Sequence, residues 1–416
     1  MIKAVVLIAT VLNFLPATTK AYSVLTHEAI VDASWEKSIQ PLLLKKYPGA
    51  TADELNDARA YVYGGAIMPD MGYYPFGNKF FTDLVHYVRS GDFVTALLEE
   101  SQDLNEYAFA VGALCHYNAD KYGHMIGVNR SAPLIYPDVK EKYGDVVTYA
   151  EDKTSHLRTE FGFDVLQTAR GNYLPTSYHN FIGFEIAKPV LQRAFMKVYG
   201  LDIDDVFGNF SLSVSTFRFA VKDLFPEITK AAWASKKSDI KKTNPASTRR
   251  SYIYKMRTSA YNKQFGKERT KPGFFAGILG FVIKISPKIG PLKAMKFKPP
   301  TPDAEKLFTE SFDTVIVHYS GSLHQLDADD FFFTNIDFDT GSKTALGEYP
   351  LTDKTYEELV IRLKEKNFSH LNTPLKENIL TFYSSNDAST SPTGTDGQDK
   401  QKFDEALASL KNAQTQ

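Results

Sequence analysis

The sequence predicts an all-α protein, and three observations support this fold class. Apolar residues recur at three- and four-residue steps in many segments, which is the spacing of one face of an α-helix. The alternating pattern of a half-buried β-strand is scarce, and stretches rich in Gly, Pro and Tyr separate the periodic segments. The predicted helices span residues 26–37, 52–64, 81–89, 92–101, 104–121, 147–160, 178–199, 214–234, 304–323, 353–366, 375–383 and 402–411. We therefore expect a multi-helix domain.

Composition sets the broad class of the protein. The chain has 416 residues, a net charge of −1, 30 Phe and 23 Tyr. This length allows one large domain with accessory parts, and the aromatic content argues against a disordered chain. The balanced charge indicates no acidic or basic partner for the chain as a whole. Cys115 is the single cysteine, so no disulfide forms within the chain, and we expect a small core side chain there.

The N-terminus predicts a secretory signal peptide. Lys3 supplies a positive charge, residues 4–15 form an apolar run, and Thr19 and Ala21 lie at the −3 and −1 positions of a cleavage site. The apolar run is shorter than the roughly 20 residues of a membrane span. We expect cleavage after Ala21, which makes Tyr22 the first residue of a secreted or periplasmic protein. An uncleaved anchor is the alternative.

Four further parts follow the signal peptide of residues 1–21. Residues 22–235 form the helical domain, and residues 236–300 form a basic, partly apolar linker or insertion. A helical C-terminal region of residues 301–383 is expected to pack on the domain, with an irregular stretch at 327–350. Residues 384–416 are predicted to be a flexible tail with a loosely attached terminal helix.

The linker is distinguished by its charge. Residues 236–298 hold 17 Lys or Arg against only Asp239 and Glu268, and they include the apolar run 273–285. A basic segment with an apolar core can lie on an anionic membrane surface, so peripheral membrane contact is one interpretation. A solvated loop whose apolar run packs back on the domain is the other, and the sequence does not decide between them.

A row of polar residues on an apolar helix is the strongest chemical signal in the chain. His116, Asp120 and His124 recur at every fourth residue within 108–129, and steps of four keep side chains on roughly one helix face. The two histidines lie about 12 Å apart along the axis, so one ion cannot easily bind both. If the row binds metal, we expect at least two ions with Asp120 between them.

Further potential ligands surround this row in the sequence. His27 follows the expected mature terminus, Asp70 lies in a Gly/Pro-rich loop, His86 follows on a short helix, and His156 precedes Glu160 by one helical turn. Each of these residues alone has an ordinary structural explanation, but zinc accepts this set of nitrogen and oxygen donors. The other histidines are interpreted as structural or exposed, namely His179, His318, His324 and His370.

Taken in chain order, these residues resemble the zinc-dependent phospholipase C superfamily, and in particular a bacterial branch labelled zinc-dependent phospholipase C-like. This superfamily shares an all-α fold with single-strand-specific zinc nucleases. Segments 64–77 (GGAIMPDMGYYPFG) and 86–93 (HYVRSGDF) add to the likeness. The superfamily pattern is matched by Tyr22, His27, Asp70, His86, His116, Asp120, His124, His156 and Glu160.

The resemblance implies two to three bound zinc ions. The first would be held by four side chains, namely Asp70, His86, His116 and Asp120. The second would be held by His124, His156 and Glu160. The third would be held by His27, a bridging Asp120, and the amine and carbonyl of Tyr22.

Two departures from the family pattern affect the substrate. Only three residues separate Asp120 from His124, a spacing closer to the N-terminal domain of glycosylphosphatidylinositol-specific phospholipase D than to secreted bacterial phospholipases C or the nucleases. Tyr22 also replaces the usual tryptophan, although only backbone atoms bind metal there.

These observations favour a secreted zinc-dependent phosphodiesterase that hydrolyses a phospholipid by metal-activated hydroxide, with Asp70 as the carboxylate that orients the water. A zinc-dependent single-strand nuclease and a non-catalytic zinc-binding envelope protein are the alternatives. Nucleic acid is the less favoured partner, and the sequence does not indicate an oligomeric state. Five aromatic residues either line a substrate wall or belong to the core, namely Tyr73, Tyr74, Phe76, Phe80 and Phe81.

Overall fold

A computed structural model describes residues 24–74, 76–173, 183–243, 245–246, 248–252, 296–328, 331–384 and 398–416. Helices dominate these residues, and they contain no β-strand. A single antiparallel bridge joins Ile336 to Lys343. The all-α prediction is therefore confirmed.

The described helices are named here in chain order. The α-helices are α1 (Val24–Ser34), α2 (Gln40–Lys46), α3 (Ala52–Ile67), α4 (Lys79–Tyr87), α5 (Ser90–Glu99), α6 (Leu104–Tyr122), α7 (Asn129–Ile135), α8 (Pro137–Tyr143), α9 (Lys153–Arg170), α10 (Lys188–Tyr199), α11 (Ile203–Phe207), α12 (Phe210–Thr243), α13 (Arg249–Tyr252), α14 (Pro302–Asp327), α15 (Pro350–Glu365), α16 (Thr373–Phe382) and α17 (Gln398–Asn412). A 3₁₀-helix spans Met68–Tyr73, and π-helices span Trp35–Ile39 and Gly123–Val128.

The central pair of helices is α3 and α6, which pack along most of their length. Their backbones nearly touch at two glycines. A Cβ atom on Gly65 would lie 1.9 Å from the carbonyl oxygen of Phe109, and one on Gly112 would lie 2.0 Å from that of Val62. Only glycine permits this approach, so the relative position of the two helices is fixed by main-chain contact.

Polar caps determine where the helices of this core begin. Thr51 and Glu54 form a reciprocal capping box at the start of α3, and the side chain of Asp103 accepts a hydrogen bond at the start of α6. Asp152 caps α9 in the same way. Each cap satisfies amide groups that the first helical turn leaves without partners, which sets the register of the residues that follow.

Two predicted helix boundaries are wrong in an informative way. Residues 147–152 are not helical, because the amide of Val147 donates to the carbonyl of Asn129 and α9 begins only after the Asp152 cap. The predicted helix at 178–199 begins at Lys188, with 183–187 irregular and 178–182 outside the described residues. Both errors come from apolar residues that are buried in irregular backbone.

The C-terminal region packs on the N-terminal helices. Helix α14 lies against α6, and the hydroxyl of its Tyr319 donates to the carbonyl of Val111 at 3.0 Å. The terminal helix α17 packs on α15 and buries Phe403, Ala406 and Leu410. It is attached more firmly than the loose terminus that the sequence suggested.

No described helix is long and apolar enough to cross a membrane. The first part of the basic stretch continues α12 to Thr243, with a kink at Lys236. Residues 253–295 lie outside the described part of the chain, so the membrane interpretation of 236–298 stays a prediction.

Candidate metal centre

The structure brings eight of the nine predicted ligands together, and the ninth, Tyr22, lies outside the described residues. Three groups place one donor atom of each member within 4.8 Å of the others. The members of all three groups are buried. The groups are His27, His116 and Asp120; Asp70, His86 and His116; and His124, His156 and Glu160.

Backbone carbonyls orient two of the histidines. Nδ1 of His116 lies 2.9 Å from the carbonyl oxygen of Ala66, and Nδ1 of His86 lies 2.8 Å from that of Thr82. A carbonyl can only accept, so each Nδ1 carries the proton and each Nε2 presents a lone pair. This is the arrangement by which proteins prepare a histidine for a metal. The two Nε2 atoms face each other at 3.4 Å.

Asp120 divides its two oxygens between these groups. Its Oδ2 lies 3.0 Å from Nε2 of His116 and 3.4 Å from Nε2 of His86. Its Oδ1 lies 3.4 Å from Nε2 of His27 and 3.9 Å from Nε2 of His124. One carboxylate thus lies within 4 Å of imidazoles from three parts of the chain, which is the position that a bridging ligand would need.

The third group is built around a break in the helix. Helix α6 ends at Tyr122, so His124 lies in the π-helical turn Gly123–Val128 and not on a continuous α-helix as predicted. Single π-helical turns are frequent at functional sites, because the extra width re-aims a side chain. Nε2 of His124 lies 3.3 Å from Oε1 of Glu160, and Nε2 of His156 lies 2.9 Å from the same oxygen.

A buried carboxylate on α9 holds the start of α1 beside the centre. Asp164 accepts hydrogen bonds from the hydroxyl of Thr26 at 2.8 Å and from the amide of Leu25 at 3.3 Å. His27 follows directly and stacks on His116 with ring centroids 4.5 Å apart. The positions of His27 and of Glu160, one turn before Asp164, are therefore linked.

Burial and close approach shift the pKa values of the side chains in the metal-free centre. Burial lowers the pKa of His86, but the carboxylates of Asp120 and Asp70 outweigh it and raise that pKa to about 9. Burial and the neighbouring His116 hold the pKa of His27 well below its usual value. Burial favours the neutral form of Asp120, yet His116 and His124 hold its pKa well below the usual range.

The two remaining carboxylates of the centre respond in opposite directions. Burial raises the pKa of Asp70. Burial also opposes the charge of Glu160, but His156 and His124 lower its pKa below the usual value. Groups with perturbed pKa values that lie close together in a small buried volume are characteristic of functional sites.

These residues fit zinc. Neither carboxylate oxygen of Asp70 accepts a hydrogen bond within the described residues, although the side chain is fully buried. The lone pairs of His86 and His116 also converge on the same space. Buried acceptors that face one another cost free energy unless a cation lies between them. Zinc in catalytic sites binds three protein ligands that donate through nitrogen or oxygen.

Sequence reasoning missed one carboxylate of the centre. Asp339, in the irregular stretch after α14, places Oδ1 3.2 Å from Nδ1 of His124 and 3.8 Å from Nε2 of His156. No helical spacing connects it to another donor, so only the pair of aspartates around Phe338 in an otherwise irregular stretch could have indicated it. The neighbouring Phe338 packs its ring against His86 and His116.

Most of the aromatic residues proposed for a substrate wall belong to the core. Among the five candidates only Phe76 is exposed, at 44% of its surface. The others are buried, namely Tyr73, Tyr74, Phe80 and Phe81. Of the histidines set aside earlier, His318 stacks on Tyr122, and His179 lies outside the described residues.

Comparison with known proteins agrees with this geometry. A family model described as zinc-dependent phospholipase C matches residues 26–209. Neither the curated proteins nor the solved structures contain a match to the chain. The matched region includes all eight described donors, from His27 on α1 to Glu160 on α9. The match supports membership of residues 26–209 in the zinc-dependent phospholipase C superfamily.

Proposed function

We propose that this protein is a secreted zinc-dependent phosphodiesterase that cleaves phospholipids in the manner of a phospholipase C. Family membership supports phospholipid hydrolysis in general. The observation that carries the finer proposal is the convergence of three buried donor groups on Asp120 and its neighbours. Secretion rests on the predicted signal peptide of residues 1–21.

Each donor group would hold one ion. Asp70, His86 and His116 would hold the first together with Oδ2 of Asp120, and His124, His156 and Glu160 would hold the second. His27 and Oδ1 of Asp120 would hold the third with the amine and carbonyl of Tyr22. Bound zinc supplies a Lewis acid for the phosphate oxygens and lowers the pKa of a water molecule towards neutrality.

Asp70 is the carboxylate best placed to orient a water molecule. Its side chain is fully buried, its Oδ1 lies 3.5 Å from Nε2 of His86, and neither oxygen accepts a hydrogen bond within the described residues. An acceptor with this freedom can take a proton from water and align its lone pair on phosphorus. The surrounding imidazoles and the three ions would attract the phosphate anion.

The decisive experiment measures metal and turnover together. Protein that begins at Tyr22 is assayed for zinc by elemental mass spectrometry and for hydrolysis of phosphatidylcholine, phosphatidylinositol and single-stranded DNA. Asp120→Asn should lose zinc and activity. Asp57→Asn, an equal change on the exposed face of α3, should keep both.

Each alternative predicts a different outcome of this assay. Cleavage of DNA without cleavage of lipid would support the nuclease. Bound zinc without turnover of any substrate would support the non-catalytic envelope protein. Protein without zinc would contradict the whole proposal.

Peripheral membrane contact through residues 236–298 is a separate part of the proposal. Its support is the excess of 17 basic over two acidic residues and the apolar run within them. Binding to phosphatidylglycerol vesicles that weakens with added salt would support it, and equal binding to phosphatidylcholine vesicles would contradict it.

A further inference from the structure

An irregular segment, residues 331–349, crosses the metal centre. It lies outside residues 26–209, which are called the family region below. The amide of Phe338 donates to the carbonyl of His86 at 3.1 Å. The hydroxyl of Ser90 donates to the carbonyl of Ile336 at 2.6 Å, and the amide of Ile336 donates back to the same hydroxyl at 3.0 Å. The side-chain amide of Asn129 donates to the carbonyl of Asp339 at 2.6 Å.

Close backbone packing reinforces these bonds. A Cβ atom on Gly91 would lie 2.0 Å from the carbonyl oxygen of Phe333, so α5 accepts the segment only because glycine stands there. The hydroxyl of Tyr117 on α6 donates to the carbonyl of Thr334 at 2.8 Å. Residues 331–349 are thus bound to four helices, α4, α5, α6 and α7, and these contacts fix the course of the segment over the centre.

The path of residues 331–349 places Asp339 beside His124 in a defined orientation. Oδ1 lies 3.2 Å from Nδ1 of His124. Oδ2 accepts a hydrogen bond from the hydroxyl of Tyr349 and a longer one, at 3.4 Å, from that of Tyr87. The side chain of Asp339 is only 3% exposed, and these partners hold its carboxyl group in place.

The other ring nitrogen of His124 faces the centre. Nε2 lies 3.3 Å from Glu160 and 3.9 Å from Asp120, which places its lone pair on the side where the second ion would bind. A neutral imidazole has one donor and one acceptor nitrogen, so Nε2 is an acceptor only if Nδ1 carries the proton. Oδ1 of Asp339, 3.2 Å from Nδ1, is placed to accept that proton, in the role that the carbonyls of Thr82 and Ala66 have for His86 and His116.

We propose that Asp339 is a positioning residue that fixes His124 for the second zinc ion, and that residues 331–349 are part of the metal centre although they lie beyond the family region. This inference rests on the proposed function, because it needs metal at the His124, His156 and Glu160 group. A carboxylate behind a histidine ligand also makes the imidazole a stronger donor, and loss of such a partner costs roughly 10- to 100-fold in metal affinity.

The test measures zinc affinity and stoichiometry by competition with a chromophoric chelator, independently of activity. Asp339→Ala should lower the affinity for one zinc ion by roughly 10- to 100-fold and leave the affinities for the other ions unchanged. Asp339→Asn keeps an oxygen that can accept a hydrogen bond from Nδ1 of His124, so it should lose less zinc affinity than Asp339→Ala. Glu348→Gln, the same chemical change at an exposed position of the same segment, should bind zinc as the unaltered protein does.

The outcomes separate this inference from the proposed function. Unaltered protein without zinc would contradict the function itself. Unaltered protein that binds zinc, with Asp339→Ala of equal affinity, would overturn the inference alone. Equal weakening of all ions in both Asp339 variants would also overturn it, because a structural loss would spread over the whole centre.

Discussion

Nε2 of His86 and Nε2 of His116 lie 3.4 Å apart, although the two histidines belong to different helices. Hydrogen bonds from both Nδ1 atoms to carbonyls direct the two lone pairs at each other. Two acceptor nitrogens at this distance repel each other unless a cation or a proton lies between them. The pair therefore provides a stability test for the metal.

Zinc removal should destabilise the protein measurably. Ligand at 100 times its Kd stabilises a folded protein by about 2.7 kcal/mol per site, which is a shift of several degrees in the unfolding midpoint. Thermal unfolding followed by tryptophan fluorescence, with chelator and then with zinc restored, measures this shift. Magnesium in place of zinc should not restore it, and an unchanged midpoint after chelation would contradict the proposed centre.

The N-terminus should control one ion selectively. His27 and Oδ1 of Asp120 lie 3.4 Å apart, and the third ion would complete its coordination with the free amine of Tyr22. An amide nitrogen cannot replace an amine as a ligand, so residues added before Tyr22 should remove one zinc ion and leave the others. Elemental analysis of protein with and without two added residues measures this, and equal zinc content in both forms would rule the third site out.

Gly112 should be intolerant of alanine because of its backbone contact with Val62. Overpacking of this kind costs about 1–3 kcal/mol, and it would also displace His116 one helical turn further along α6. We expect lower stability in urea denaturation together with weaker zinc binding. Gly321→Ala on α14 is the matched control, since nothing lies within 4 Å of its added Cβ, and it should leave stability equal or higher. A Gly112→Ala protein as stable as this control would contradict the close packing.

Asp337 predicts a pH dependence of stability. Burial and the nearby Glu348 raise its pKa from 3.8 to about 7, against the hydrogen bonds that Thr340 donates to it. Between these pH values the folded state binds the proton more tightly than the unfolded state. Stability from this group is thus fully present below pH 3.8 and is lost as pH rises towards 7, by at most about 1.4 kcal/mol per pH unit.

The comparison of Asp337→Asn with the unaltered protein isolates this effect. The asparagine keeps an oxygen for the amide of Thr340, which donates to Oδ1 at 2.7 Å, but it does not titrate. The variant should gain stability relative to the unaltered protein as pH rises from 5 to 8, measured by urea unfolding in saturating zinc. Parallel stability curves for the two proteins would show that Asp337 does not titrate in this range.

Helical periodicity was sufficient to predict the fold class and the row at His116, Asp120 and His124. Both depend on local sequence, because side chains four residues apart meet on one face whatever the rest of the chain does. The π-helical turn at His124 was not predictable in this way. The turn packs against α14 and α9, and periodicity carries no information about that packing.

Asp339 and Asp164 could not be predicted for a related reason. Each acts through a contact with a residue far away in the chain, Asp164 with Thr26 and Asp339 with His124. Irregular backbone places Asp339, so no repeating pattern marks it. For Asp339 the resemblance to the family did not help either, because the family match ends at residue 209.

The bonds from residues 331–349 to α4 and α5 bear on when the protein can assemble. Ser90 bonds to Ile336 across 246 residues of sequence, and Tyr87 reaches Asp339 across 252. Contacts between residues so far apart in sequence form late in folding, because closing a long loop costs entropy before the contacts can stabilise the fold. A growing chain that ends at residue 209 therefore still lacks residues 331–349, which contact His86 and His124 in the complete fold. We therefore expect full zinc affinity at His124 only after synthesis of the whole chain and, if the protein is exported, after its translocation.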